Sequence, residues 1–127
     1  MTGKVHEDLE VWKMSVELAT AIYQFTKSFP EEEKYGLVSQ MRRSAVSIAS
    51  NIAEGAARQG SKEFLQYLSI ASGSASELST QLVIADRVGL GNKEELNDLK
   101  SALKRISMML QGLMRSVRSK NNNQENR

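Results

Sequence analysis

Apolar residues recur along most of this chain at intervals of three and four, the period of an amphipathic helix, and strand-like alternation appears nowhere. The first such stretch runs from about Glu7 to Ser28. Leu9, Trp12, Val16, Ala19 and Tyr23 form one line on it, and Val11, Leu18, Ile22, Phe25 and Phe29 an adjacent one, together a wide apolar face. Glu7, Asp8 and Glu10 sit at its start, where the helix dipole favours negative charge. Pro30 ends it, because the residue before a proline avoids the helical region. Proline followed by glutamates suits a first helical turn, so PEEEKYG reads as a loop containing a turn of helix.

The second helix, about Tyr35 to Arg58, carries two stripes. Leu37, Met41, Ala45, Ile48 and Ile52 form the apolar one. Gln40, Arg43, Ser47, Asn51 and Glu54 form a polar one with both charge signs and no lysine. Gln59-Gly60-Ser61 breaks the chain, and Ser61 is the expected cap of the third helix, about Lys62 to Val88. That helix has a heptad line from Phe64 through Leu68, Ala71, Ala75, Leu78 and Leu82 to Ala85. Gly73 in its small-residue centre costs about 1 kcal/mol relative to Ala. Close approach of the second helix, also rich in Ala and Ser, is the expected compensation.

Gly89-Leu90-Gly91 supplies a stop, and Asn92 with Glu95 resembles a capping box. The fourth helix follows, with Leu96, Leu99, Leu103, Ile106, Leu110, Leu113 and Val117 in heptad register. After Lys120 the run NNNQENR has no apolar residue and reads as a disordered polar tail, residues 121–127. Residues 1–120 are then one all-α domain, an antiparallel up-down-up-down four-helix bundle.

Composition narrows the chemistry. The 127 residues include no cysteine, which removes disulfides, thiolate metal sites and cysteine nucleophiles. The acidic N-terminus has no apolar segment of a signal peptide, and no apolar run is long enough to span a bilayer, so a cytoplasmic location is expected. The net charge of +2 divides unevenly: residues 115–127 carry +3, leaving −1 on residues 1–114. His6 is the sole histidine, so neither a di-iron Glu-x-x-His set nor a serine triad can be assembled, and no glycine-rich phosphate loop occurs. The expectation is a protein without catalytic residues, metal or cofactor.

The polar stripe on the second helix admits two readings. One is a solvated face with intrahelical pairs, Arg43 near Ser47 and Asn51 near Glu54. The other is a network buried between helices or subunits, fixing register and assembly geometry. Trp12, Tyr23 and Phe25 fit the apolar face better than a base-stacking role. Met108 and Met114 lie off the main line of the fourth helix and are expected to be partly exposed or to serve a second interface.

The segment SQMRRSAVSIASNIAEG resembles the hallmark run of the bacterial four-helix bundle proteins encoded in intervening sequences of 23S ribosomal RNA genes. EDLEVWKMSVELATAIYQFTKSFPEEEKYGL is similar to that family's opening helix and loop, and the run from Phe64 to Leu82 to its third helix. Ala49 stands where many relatives have Pro in SIPxNIAEG, which implies a straighter second helix here. The resemblance implies a homopentameric bundle without an established activity. Accessory variability proteins of diversity-generating retroelements have a similar bundle and bind reverse transcriptase and RNA, an analogy of fold alone. The expected function is an oligomeric binding module for structured RNA, or for a protein that handles RNA. A structural or protein-interaction scaffold without nucleic-acid binding is the alternative. The polar stripe is assigned to assembly. Arg115, Arg118 and Lys120 in the basic tail are the first phosphate-binding candidates, with Arg42, Arg58 and Lys62 next.

Overall fold

The computed structural model describes His6 and residues 9–125, with side chains as far as Asn122. Among these residues every regular element is helical: α1 (Glu10–Thr26), α2 (Ser39–Ala56), α3 (Ser61–Arg87) and α4 (Lys93–Glu125). Each helix packs on its sequence neighbour, and α4 closes back on α1. Contacts across the seams fix alternating directions. Arg42 near the start of α2 reaches Thr26 at the end of α1, and Gln111 in α4 reaches Ser72 in α3. The architecture is the antiparallel up-down-up-down bundle.

The core follows the periodicity. Met41, Ala45, Ile48 and Ile52 of α2 are fully enclosed, as are Leu68, Ala71, Leu78, Leu82 and Ala85 of α3. Leu96, Leu99, Leu103, Ile106, Leu110 and Val117 complete it from α4. On the first helix and its flanks one line is enclosed and the other lies at the edge of the core, where Leu9, Trp12 and Ala19 pack half-buried against it. Val11, Leu18, Ile22, Phe25 and Phe29 are buried, whereas Val16 and Tyr23 of the other line are 39% and 42% exposed. Ser15 joins the buried line by turning its hydroxyl back to Val11 O at 2.7 Å, which satisfies the donor inside the helix. Met114, expected at the surface, is buried, while Met108 is exposed. Met114 lies four residues beyond Leu110 and lines the α3–α4 groove with Leu65, while Leu113, expected in the core line, is only half buried.

Several boundaries differ from the periodicity. Leu9 caps α1 in an extended conformation; Glu7 and Asp8 lie outside the described residues. Pro30 opens a 3₁₀ turn over Glu31–Glu33, which passes into a single π-helical turn, Lys34–Val38, broken at Gly36. The α-helical ladder of α2 therefore begins at Ser39, later than Tyr35, and then runs unbroken through Ala49. Gly60, not Ser61, is the N-cap of α3, accepting Phe64 N–H through its carbonyl. Ser61 is the first helical residue. Gly89 at φ +78° closes α3 with paired bonds, Leu90 N–H to Ala85 O and Gly89 N–H to Asp86 O, the two links of a Schellman end. Asn92 Oδ1 then accepts Glu95 N–H at 2.9 Å to start α4.

α4 continues to Glu125, five residues into the stretch 121–127 that composition reads as disordered. Extending a helix already several turns long adds a hydrogen bond for each residue fixed, with no new nucleus to form. The close approach of α2 and α3 is real, but a different glycine makes it. A Cβ on Gly73 would meet nothing within 4 Å, whereas one on Gly55 would fall 2.7 Å from Tyr67 Cβ and 2.9 Å from Phe64 Cδ1.

Candidate interaction surfaces

The polar stripe of α2 is divided by the fold. Its middle turns toward α3: Ser47 Oγ and Ser74 Oγ share a hydrogen bond of 2.8 Å, and Asn51 Nδ2 donates to Ser47 O and to Ser47 Oγ. Gln40, Arg43 and Glu54, at the ends, are exposed. The intrahelical partner of Asn51 is Ser47 and that of Glu54 is Arg58, so the pairing of Asn51 with Glu54 is not formed. Arg43 makes no hydrogen bond or ion pair among the described residues.

The six candidate cations fall into distinct environments. Arg42 is engaged at the end of the bundle where α1 finishes. Its Nε donates to Thr26 Oγ1 at 3.0 Å, its Nη2 donates to Tyr23 O at 3.4 Å, and its guanidinium lies 4.5 Å over the Tyr23 ring. Tyr23 is therefore half exposed and covered by a cation, not committed to the core. The last turn of α1 has no basic residue of its own, so Arg42 supplies the charge that its carbonyls favour.

Arg58, Lys62 and Arg118 gather at the opposite end. The α2–α3 turn places Arg58 against Tyr67, with Nη2 donating to Tyr67 Oη at 2.9 Å and the guanidinium 5.0 Å over the ring. Arg58 also pairs with Glu54. Tyr67 first, and Glu54 second, raise the Arg58 pKa above its ordinary value. Tyr67 lines an open groove of about 670 Å³ between α3 and α4, together with Lys62, Gln66, Ser69, Ile70 and Arg118. Residues 56 positions apart in sequence thus share one concavity. Arg115 and Lys120 are exposed on α4, so the cations assigned to a tail belong to the folded helix.

A second groove lies along the same α3–α4 seam, where Lys100 and Lys104 face Ser76, Ser79 and Ser107. Sequence reading passed over these lysines because the charge of residues 1–114 sums to −1. The signal was spacing: Lys100, Lys104, Ser107, Gln111, Arg115 and Arg118 recur at helical intervals on one side of the leucine line. Asp86 at the head of the seam binds Lys93 and Lys100 together. Hydrogen bonds from Lys93 and then Lys100 hold its carboxyl below the usual range.

The groove between α1 and α4 has the opposite character. Leu18, Leu99 and Ala102 form its floor, and Glu17, Glu95 and Asp98 its rim. His6 packs edge-on against Trp12, with ring centres 4.8 Å apart. Among the described residues no group of three or more His, Cys, Asp or Glu is arranged to hold a metal, and no helix is long and apolar enough to cross a membrane.

The sequence matches the family described as 23S rRNA-intervening sequence protein over residues 7–112. A crystal structure from Bacteroides thetaiotaomicron, described as a protein with unknown function from the S23 ribosomal protein family, has the same fold at a TM-score of 0.74. It is 26% identical, and the alignment covers 82% of this chain and 97% of that one. No curated protein matches.

Proposed function

The chain belongs to the 23S rRNA-intervening sequence protein family, and from that premise we propose that it is a non-catalytic, cytoplasmic, homopentameric module that binds structured RNA. The convergence of Arg58, Lys62 and Arg118 at one end of the bundle carries this reading. Guanidinium and ammonium groups at a shared groove neutralise phosphates and release their counterions. The family name refers to an intervening sequence of 23S rRNA, which makes RNA the polyanion of first interest.

Assembly is supported by the exposed ends of the α2 stripe. Arg43 and Glu54 flank Val46, an apolar residue 42% exposed, and a second copy laid on this face would cover all three. Repetition of the cationic end in five copies would multiply weak phosphate contacts. The absence of catalysis is supported by the inventory of side chains: the sole histidine packs on Trp12, and there is no cysteine.

A scaffold for protein partners alone is the second reading. The groove between α1 and α4 favours it, because carboxylates around an apolar floor repel phosphate and suit a basic helix. Fluorescence anisotropy with a structured RNA across a salt series separates the two. RNA binding requires affinity that falls steeply with salt and drops roughly tenfold or more in Lys62→Glu combined with Arg118→Glu. No binding by the wild type at low salt leaves the scaffold.

A further inference from the structure

We infer that the RNA is double-helical and that its phosphate backbone follows the α3–α4 seam over most of its length, from Lys62 and Arg118 to Lys100 and Lys104. This rests on the RNA reading above and adds the form of the ligand and its path.

The seam carries cations, amides and hydroxyls along two grooves whose walls also present exposed apolar side chains, Ile70 in the first and Val83 in the second. Lys62 and Arg118 line the first with Gln66 and Ser69, and Lys100 and Lys104 line the second with Ser76 and Ser107. Between them Gln111 Nε2 donates to Ser72 Oγ at 3.2 Å, bridging the two helices. From Lys62 to Val83 along α3 the track extends roughly 30 Å at the helical rise. Neither groove is lined by a carboxylate. Asp86, at the head of the track, is paired with Lys93 and Lys100, which leaves the three groups a net charge of +1 there, and Lys104 adds a further cation that has no ion pair among the described residues. Apolar floor beneath the polar rims comes from Leu65, Met114, Leu82 and Leu103.

The path lacks free aromatic rings. Proteins that hold single strands stack bases on aromatic side chains. Tyr67 is the one aromatic residue lining either groove, and Arg58 both bonds its hydroxyl and covers its ring. Ammonium, guanidinium and hydroxyl groups without stacking platforms suit a duplex, whose bases stay stacked inward and whose phosphates and 2′-hydroxyls face the protein. The acidic α1–α4 groove lies on the other side of α4 and confines the RNA to this one.

The test measures binding of the full chain to a blunt RNA duplex longer than the seam and to one of its strands alone, across a salt series. Lys104→Glu is made alone and with Lys100→Gln; Lys104 forms no ion pair among the described residues, so its loss leaves the fold untouched. Circular dichroism confirms folding of each variant. The expected result is tighter binding of duplex than of single strand. Affinity should fall roughly tenfold in the Lys100/Lys104 variant, with a salt slope about one to two units shallower, comparable with Lys62→Glu/Arg118→Glu. Full affinity in the Lys100/Lys104 variant, with loss in the other, would confine RNA to the bundle end and overturn the path while leaving the RNA reading in place. Preference for the single strand would overturn the duplex. No binding of either RNA by the wild type would overturn both the path and the RNA reading.

Discussion

Gly55 of α2 lies so close to Tyr67 of α3 that a Cβ added to the glycine would stand 2.7 Å from the tyrosine's own Cβ. Tyr67 Cβ is anchored to its backbone and cannot swing aside, so the helices themselves would have to part. Gly55→Ala should destabilise by about 1–3 kcal/mol in urea unfolding, the usual cost of overpacking. Gly73→Ala is the contrast: its Cβ would enter open space, and removing a mid-helix glycine should stabilise by about 0.5–1 kcal/mol. A neutral Gly55→Ala would mean that α2 and α3 slide apart freely.

Arg42 holds the end of α1 from outside, through Thr26 and the Tyr23 carbonyl. Arg42→Ala should cost about 1.5–3 kcal/mol, the range for hydrogen bonds involving a charged group, and leave RNA affinity unchanged. Arg42→Lys should recover little of it, since an ammonium reproduces neither the fork nor the stacking on Tyr23. Weaker RNA binding without loss of stability would return Arg42 to the phosphate-binding group.

Asp86 sets an acid limit. Its folded pKa is depressed by Lys93 and Lys100, so its contribution is complete above the unfolded value near 3.9 and is lost as pH falls through the lower folded value. Wild type should therefore lose more stability than Asp86→Asn as the pH falls below about 4. Parallel stability curves for the two proteins over that window would show that the lysine pairs contribute nothing.

Assembly can be read by light scattering coupled to size exclusion, which should give several times 14.1 kDa. Arg43 and Glu54 are exposed on one chain, and a second copy would enclose them. Arg43→Met should then weaken assembly, Glu54→Leu should do so less because Arg58 already pairs with Glu54 within its own chain, and the double variant should follow Arg43→Met. A monomer at micromolar concentration, or three variants indistinguishable from wild type, would return this face to solvent.

The α2 and α3 cores were readable because a single apolar line on each helix leaves no choice of face. α1 offered two lines of equal apolarity. The neighbours decided between them, and Ser15 in the buried line hid its own membership until its hydroxyl was seen bonded to Val11. Gly73 drew attention by its small neighbours, yet what a glycine needs is set by the opposite helix, which sequence spacing does not contain. Lys62 and Arg118 could not be joined without the register of α3 against α4. Lys104 was concealed by arithmetic, because net charge cancels a lysine on one seam against a carboxylate on another.

Gly91, in the turn between α3 and α4, rests on the ring of Phe25 near the end of α1; a Cβ there would run into Phe25 Cζ. Phe29 packs edge-on against the same ring at 5.3 Å. The hinge of the last hairpin therefore clasps the first helix. α1 cannot peel away without releasing that hinge, and the hairpin cannot detach without wetting Phe25. Amide protons of α1 and of the last turns of α3 should then exchange with deuterium as one cooperative set, opening together or not at all.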